Sequence, residues 1–468
     1  MIRIKLTLML CLLLSGFSQA EEKPVSIVFI VADDLGIRDL DSYGSDFHQT
    51  PHLDQLAADG IRFNRAYASA SVCSPTRASI LTGKYPHRVQ LTDALPWDRL
   101  YQNPKMVPPD HLKELPSSLP TFAQALRSEG YATALIGKWH LGNEHEFYNQ
   151  GKHRDYGFDE AFDVNGKDKG VERLTAESIA FIKKHREKPF MLTLMHHTPH
   201  VPLNCPPAYK ARFEKVKPGT VHNNPTYAGM VSHLDDSIGK LLATLESLGL
   251  EENTVVIFTS DNGGLRKITN NKPYRGGKGQ LYEGGILVPL IVRWPNRIKP
   301  GVISEAPVLS SDFFPTFLEL ASLDAQPKVH QDGMSLLPAF KGKPLPDRPL
   351  FWHFPHRSMP SSAVMKDDWK LIHFIEPDTY ELYNLRRDPY EKQNLFHSEN
   401  QRGASLMALL KTHLNETRAQ IMHSNPAWEK SAPKGSSRDF GVFYSASGNG
   451  KPRQPVSSAY PSWFEHRK

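Results

Sequence analysis

Short apolar runs alternate with longer amphipathic stretches along most of the chain. The apolar runs are rich in β-branched and aromatic residues, which favour strands. The stretches between them repeat their apolar residues at helical spacing. This alternation predicts an α/β fold with a large, mainly parallel sheet covered by helices on both faces. The predicted strands are Ser26 to Val31, Tyr131 to Ile136, Phe190 to Met195, Thr254 to Thr259 and Val288 to Trp294, and the predicted helices are Pro51 to Asp59, Leu119 to Glu129 and Tyr227 to Leu248.

A change in composition at 341–349, where Pro and Lys accumulate, indicates a boundary between two units. We expect a catalytic α/β domain over 21–345 and a smaller α+β domain with an antiparallel sheet over 346–424. The extension 425–468 is polar and rich in Pro, Gly and Ser but carries aromatic residues, so packing and disorder both stay open for it. In the smaller domain, the predicted elements are strands Trp369 to Phe374 and Tyr380 to Leu385 and a helix Ser405 to Arg418.

The first twenty residues have the pattern of an export signal. Arg3 and Lys5 precede an apolar run from Leu6 to Leu14, and Ser18-Gln19-Ala20 offers small residues for cleavage. The apolar run is too short to span a bilayer. We therefore expect residues 1–20 to be a signal peptide and the mature protein to be periplasmic or secreted, without stable membrane insertion.

Cysteine content and charge narrow the class of protein further. The 468 residues include three cysteines, and removal of the signal leaves only Cys73 and Cys205. Two cysteines are too few for the disulfide framework of a small secreted protein, so Cys73 needs another explanation. The formal net charge of +6 favours anionic partners only slightly. Because the chain has no long basic runs interleaved with aromatic residues, nucleic-acid binding is not expected.

Acidic and amide residues follow two of the predicted strands. Asp33 and Asp34 come after the first strand, and Asp261 and Asn262 come after the strand Thr254 to Thr259. Ligands bind beyond the carboxyl ends of strands in open α/β sheets. An all-oxygen set of this kind suits Ca²⁺ or Mg²⁺. One Asp-Asp pair alone would indicate a turn or a helix cap, whereas two pairs at equivalent strand ends predict a metal site.

The segment Cys73-Ser74-Pro75-Thr76-Arg77, followed by Leu81-Thr82-Gly83, carries the most specific pattern of the chain. Pro75 suits the first turn of a helix, which would place residue 73 near a helix N-terminus, where free N–H groups favour an anion. The segment resembles the signature of the formylglycine-dependent type I sulfatases of the alkaline phosphatase superfamily. The resemblance implies that a maturation enzyme oxidises Cys73 to formylglycine and that the protein hydrolyses sulfate esters.

The resemblance extends through most of the predicted mature chain and implies the remaining site residues. Three further segments resemble parts of the family's active site: Gly137-Lys138-Trp139-His140, His197-Thr198-Pro199-His200 and Gly277-Lys278-Gly279. The implied metal site is one Ca²⁺ held by Asp33, Asp34, Asp261 and Asn262 together with residue 73.

The resemblance also implies a role for each of the charged side chains and histidines in these segments. The hydrated formylglycine is expected to attack sulfur, with Arg77, Lys138 and Lys278 neutralising the sulfate oxygens. His140 is expected to take a proton from the hydrate, and His197 to protonate the leaving alcohol. The spacing of Lys138 and His140 is consistent with this, because residues two apart in an extended segment point to one face.

The substrate is expected to be a sulfated saccharide, with marine algal glycans such as carrageenan or ulvan favoured over glycosaminoglycans or aryl sulfates. His200 is either a packing residue or a substrate contact, and the sequence leaves both open. Further candidate substrate contacts lie on loops expected near the site: Trp97, Asp98, Arg99, Arg275, His353, His356 and Arg357.

Two other functions fit parts of the pattern. A phosphomonoesterase, phosphodiesterase or phosphonate hydrolase of the same superfamily would commonly hold two metal ions. Lys138 and Lys278 instead resemble the arrangement in which lysines replace a second ion. A noncatalytic sulfoglycan-binding protein would keep the fold without the intact motifs that this chain carries.

Overall fold

The computed structural model describes residues 24–96, 104–166, 168–426 and 428. The predicted signal peptide and nearly all of the predicted C-terminal extension lie outside these ranges. The candidate substrate contacts Trp97, Asp98 and Arg99 lie outside them as well. In the described part of the chain, every helix is too short or too polar to span a lipid bilayer.

Strands and helices alternate through the first three quarters of the chain, and a run of consecutive strands follows. The strands are β1 Ser26–Ala32, β2 Ile61–Phe63, β3 Ala66–Tyr67, β4 Met106–Val107, β5 Ala132–Gly137, β6 Glu160–Phe162, β7 Phe190–Met195, β8 Thr254–Ser260, β9 Leu290–Arg293, β10 Val302–Ser304, β11 Val308–Leu309, β12 Leu350–Phe354, β13 Ser361–Lys366, β14 Trp369–Phe374, β15 Thr379–Asn384 and β16 His423–Ser424. The helices are α1 Pro51–Ala58, α2 Cys73–Thr82, α3 Pro86–Val89, α4 Phe122–Ser128, α5 Glu144–Asn149, α6 Val171–His185, α7 Pro207–Glu214, α8 Pro225–Ser247, α9 Glu283–Ile286, α10 Phe313–Leu320, α11 Leu337–Phe340 and α12 Asn400–Glu416.

The main sheet has eight strands in the order β10-β2-β9-β8-β1-β7-β5-β6. β1 pairs in parallel with both β8 and β7, and β9 is antiparallel to its neighbours β8 and β2. A second, antiparallel sheet has the order β12-β13-β14-β15. The predicted fold class, a large mainly parallel sheet with a smaller antiparallel sheet after it, is therefore confirmed.

Alternate residues of the central strand β1 point into two different cores. Val28 and Ile30 contact the core that contains α8, whereas Ile27 and Phe29 contact the core on the opposite face, which contains α4 and α10. A strand that is apolar at every position is typical of a sheet covered on both faces. Trp352 of the second sheet belongs to the same core as α8, so the two sheets share one hydrophobic interior.

Gly137 lies at the end of β5, where the strand approaches the backbone of β7 closely. Gly137 has a φ of 97°, a conformation that L side chains rarely adopt. A Cβ atom at this position would lie 2.0 Å from the carbonyl oxygen of Met195. Immediately after it, the backbone N–H of Lys138 donates to the same oxygen at 2.7 Å. The absence of a side chain at Gly137 therefore allows β5 to end tightly against β7.

We expect Gly137→Ala to lower the free energy of unfolding by about 3 kcal/mol or more, because the added methyl collides with backbone and φ is positive. Gly130→Ala is the matched control: its φ is 83°, but nothing lies within 4 Å of the added Cβ. Gly130→Ala should lower the free energy of unfolding by only about 1 kcal/mol. Urea unfolding of both variants measures the difference, and equal losses would contradict the role given to the Met195 carbonyl.

Candidate active site

The predicted acidic residues meet at the carboxyl ends of β1 and β8. The two strands pair in register from Ser26 with Thr254 to Ala32 with Ser260, so the residues that follow them are brought side by side. The backbone N–H of Asp34 donates to Asp261 Oδ1 at 3.2 Å, and Asn262 Nδ2 donates to Asp34 Oδ1 at 2.8 Å. All four predicted residues are buried. The structure thus places the two pairs together, as the sequence predicts.

Two oxygens in this group have no hydrogen-bond partner among the described residues. They are Asp34 Oδ2 and Asn262 Oδ1, and both are fully buried. A buried oxygen without a donor costs free energy unless a cation or another donor satisfies it. Carboxylate and amide oxygens are the ligands that hard divalent cations prefer. The donor set of this site therefore fits a hard divalent cation.

Cys73 lies beside these carboxylates as the first residue of α2. Its Sγ is 3.3 Å from Asp33 Oδ1 and 3.3 Å from Lys278 Nζ. Burial, followed by the charges of Asp261 and Asp33, raises the pKa of the Cys73 thiol above its ordinary value. The thiol is consequently neutral at physiological pH, and an unmodified thiolate nucleophile is disfavoured here.

Each of the three buried carboxylates has a basic partner. Arg77 Nε donates to Asp261 Oδ2 at 2.9 Å, Lys138 Nζ lies 2.6 Å from Asp33 Oδ2, and Lys278 Nζ lies 2.5 Å from Asp34 Oδ1. Burial opposes the charge on Lys278, but the carboxylates outweigh it and raise the pKa of this lysine. The predicted cations are therefore charged and converge on the space around residue 73.

His140 follows Lys138 and adopts a positive φ of 57°. Its Nε2 contacts the carbonyl oxygen of Leu95, and its buried Nδ1 has no hydrogen-bond partner among the described residues. Burial, then the charges of Lys138 and Arg77, holds the pKa of His140 well below its usual range. The ring is therefore neutral, which is the state that a proton acceptor requires.

The structure gives different surroundings to His197, the predicted acid, and His200, the predicted packing residue or substrate contact. His197 Nε2 lies 2.7 Å from Asp163 Oδ1, so this ring is engaged with a carboxylate outside the predicted set. His200 Nε2 lies 3.6 Å from Asp34 Oδ2. One atom each of Asp33, Asp34, Cys73 and His200 lies within 4.8 Å of the others. The geometry therefore places His200, rather than His197, with the carboxylates and residue 73.

Two of the remaining candidate substrate contacts, His356 and Arg357, bond to the segment that precedes Leu95. His356 Nε2 lies 2.8 Å from Thr92 Oγ1, and Arg357 Nε donates to Asp93 Oδ1 at 2.8 Å. Thr92 and Asp93 precede Leu95, whose carbonyl contacts His140. His356 and Arg357 are thus connected to the active-site histidine through one short segment.

Two of the predicted substrate contacts have structural partners instead. Both ring nitrogens of His353 have hydrogen-bond partners, Ser362 Oγ at 2.7 Å and the carbonyl of Gln420 at 2.8 Å. Arg275 donates to Tyr383 Oη at 2.7 Å, so it joins the Lys278 segment to the second sheet.

The segment that contains Lys278 and Glu283 is also held by a cluster of buried charged residues, which the sequence did not predict. Lys370 of β14 is fully buried and lies 2.8 Å from Glu283 Oε1 and 2.9 Å from Glu391 Oε1. Glu391 in turn accepts the backbone N–H of Glu283 at 2.7 Å, and burial raises the pKa of its carboxyl to about 7. No spacing in the sequence relates Lys370 to Glu283, because their contact depends on how the two sheets pack.

Comparison with known families agrees with this fold and site. A profile described as Sulfatase matches residues 26–323, and a profile described as N-sulphoglucosamine sulphohydrolase, C-terminal, matches residues 277–420. The chain therefore belongs to the sulfatase family, and the protein is a sulfuric ester hydrolase.

Particular relatives resemble most of the chain. A sulfatase of Formosa agariphila is 30% identical over 517 aligned positions, covering 89% of this chain and 92% of the relative. Human N-acetylgalactosamine-6-sulfatase is 30% identical over 378 positions, covering 72% of this chain and 70% of the relative. The crystal structure of Ps i-CgsB in complex with k-i-k-neocarrahexaose superposes with a TM-score of 0.74 at 27% identity, covering 84% of this chain and 93% of that chain.

We expect Lys370→Met to lower the free energy of unfolding by about 3–5 kcal/mol, because it leaves two buried carboxylates without their cation. Lys366→Met is a matched control on the neighbouring strand, where the lysine is exposed. The control should change stability by less than about 0.5 kcal/mol. Chemical denaturation followed by circular dichroism tests this, and coincident curves for the two variants would contradict it.

Proposed function

We propose that the protein is an exported sulfatase that uses formylglycine at position 73 and one Ca²⁺ to release sulfate from sulfated saccharides. The position of Cys73 carries this proposal: it begins a helix and contacts both a predicted metal ligand and a basic residue. An unmodified thiol suits the reaction poorly because burial raises its pKa. Oxidation of residue 73 by a maturation enzyme would replace it with an oxygen nucleophile.

Two groups would supply chemistry that the amino-acid side chains lack. A divalent cation held by Asp33, Asp34, Asp261 and Asn262 would add positive charge beside the sulfate, and formylglycine would provide the attacking oxygen. The transition state spreads negative charge over the nonbridging sulfate oxygens, so fixed cations stabilise it.

The three basic residues would have two roles: binding the sulfate oxygens and orienting the neighbouring groups. Lys138 and Lys278 direct their ammonium groups toward the space beside residue 73, where they would bind the sulfate oxygens. Arg77 is fully buried between Asp261 and the carbonyl of Lys138, to which its Nη1 donates at 2.8 Å. Arg77 therefore orients the other groups as well as contributing charge.

Departure of a sugar alkoxide requires a proton, and His200 is placed to donate it. Its ring lies beside Asp34, within the same small group of atoms as residue 73. Burial, then the charge of Lys278, lowers the pKa of His200 to about 4. A bound sulfate ester brings negative charge that opposes this effect and so favours the protonated ring. His140, held neutral, would accept a proton from residue 73.

Marine algal glycans such as carrageenan or ulvan are the proposed substrate class. The ligand named in the Ps i-CgsB complex, k-i-k-neocarrahexaose, supports this choice. The likeness to N-acetylgalactosamine-6-sulfatase makes glycosaminoglycans the second candidate. Sulfate release from defined carrageenan, ulvan and chondroitin oligosaccharides separates the two classes. Two adjacent metal ions per chain would instead favour a phosphate or phosphonate ester.

We expect Cys73→Ala to lower the rate of sulfate release at least about 10³-fold, because it removes the nucleophile. The variant should still fold and bind calcium, which thermal unfolding and metal analysis measure. Cys205→Ala is the matched control, since Cys205 is half-buried and its Sγ donates to the Thr226 carbonyl at 3.6 Å. Wild-type release by Cys73→Ala, or equal losses in both variants, would exclude the mechanism.

We expect His200→Ala to lower kcat for a glycan sulfate by about 10²–10⁴-fold, because the alkoxide then leaves without a proton. An activated nitrophenyl sulfate needs little acid assistance, so the decrease in kcat for this substrate should be much smaller. His197→Ala is the comparison: its ring is paired with Asp163, and any loss should be similar for both substrates. A selective loss on the glycan sulfate in His197→Ala would return the acid role to that residue.

A further inference from the structure

One nearly buried lysine outside the motifs, Lys169, lies in a segment that contacts the loop of His197, and among the described residues it has no carboxylate partner. Lys169 lies in the segment between β6 and α6, and Asp163 of this segment bonds to His197 at 2.7 Å. The segment is therefore packed against the loop that carries His200. Lys169 has a φ of 59°, and a Cβ on the next residue, Gly170, would lie 2.0 Å from the Val164 carbonyl. The backbone at Lys169 is thus held in one tight turn.

The side chain of Lys169 differs from the other lysines of the site. The residue is only 5% exposed, yet among the described residues its ammonium makes no ion pair or hydrogen bond. Lys138 and Lys278, by contrast, each lie against a carboxylate. An ammonium that no carboxylate of the protein neutralises can form charge-assisted hydrogen bonds with an anion that the protein itself does not provide.

The charges of the reaction centre show why Lys169 is additional to it. The three buried carboxylates are already paired one to one with Arg77, Lys138 and Lys278. Burial lowers the pKa of Lys169, while Asp33 acts to raise it, so the ammonium lies within the field of the reaction centre. It nevertheless forms no ion pair with Asp33 or Asp34. The turn that carries Lys169 therefore lies beside the loop of His197 and His200, and Lys169 is not one of the three paired cations.

We propose that Lys169 binds a second anionic group of the saccharide, either a further sulfate ester or a uronate carboxylate, beside the sulfate that is cleaved. This inference rests on the proposed function of the site. Both groups share the chemistry that an ammonium recognises, a compact oxyanion that accepts charge-assisted hydrogen bonds. Lys169 is then a specificity residue that selects saccharides with two neighbouring negative charges over those with one.

Calorimetry in the Cys73→Ala background tests the proposal without turnover. The probes are disulfated and monosulfated carrageenan disaccharides and a monosulfated chondroitin disaccharide, which carries a uronate in place of the second sulfate. One of the doubly charged probes should bind about 10-fold more tightly than the monosulfated carrageenan disaccharide. Lys169→Gln should abolish that preference, and Lys169→Arg should restore most of it. The doubly charged probe that shows the effect identifies the second anion.

Lys183→Gln, on the exposed face of α6, is the matched control and should keep the preference. The proposal is overturned if Lys169→Gln weakens all probes equally, if it leaves the preference intact, or if no doubly charged probe is preferred in the Cys73→Ala background. Sulfate release by the protein with Cys73 intact is measured separately on the same probes and on nitrophenyl sulfate. Its absence on all of them would refute the proposed function, whereas the binding preference would still decide the role of Lys169.

Discussion

Three carboxylates buried at one edge of a sheet impose the main constraint on this structure. Ions taken from water cost several kcal/mol each unless they are paired. Asp33, Asp34 and Asp261 each have a basic partner, and those partners come from α2, from the end of β5 and from the segment before α9. Because each pair joins distant parts of the chain, neutralising the carboxylates also assembles the site around residue 73.

The sequence predicts those features that depend on local pattern or on strand direction. Asp33 and Asp261 could be placed together because the carboxyl ends of parallel strands meet at one edge of the sheet. Cys73 and Lys138 could be identified because each belongs to a motif of several consecutive residues. The resemblance assigns the acid role to His197 and leaves His200 open as a packing residue or a substrate contact. Their different surroundings could not be predicted, because they depend on the packing of Asp163 against His197. Nor could the sequence find Lys169 or Lys370, whose importance depends on what tertiary structure does or does not place beside them.

The second sheet participates in the site although the sequence suggests a separate domain. Lys370 and Glu391 hold Glu283, and Arg275 bonds to Tyr383, so both ends of the segment around Lys278 are fastened to this sheet. A shared hydrophobic core reinforces these contacts. A composition change near residue 345 therefore marks a change in architecture, while the functional unit continues through β15. The boundary itself stays a prediction.

The pairing of charges at the centre also limits where substrate specificity can arise. Arg77, Lys138 and Lys278 are each paired with a carboxylate. In the proposed function they also bind the sulfate group, which all sulfate esters share. Discrimination between saccharides must therefore depend on residues around this centre. The structure offers two such places: the turn that carries Lys169, and the segment of Asp93 that joins Arg357 to His140. Neither lies in the segments that resemble the family's motifs, so either place can change without changing the charged groups around residue 73.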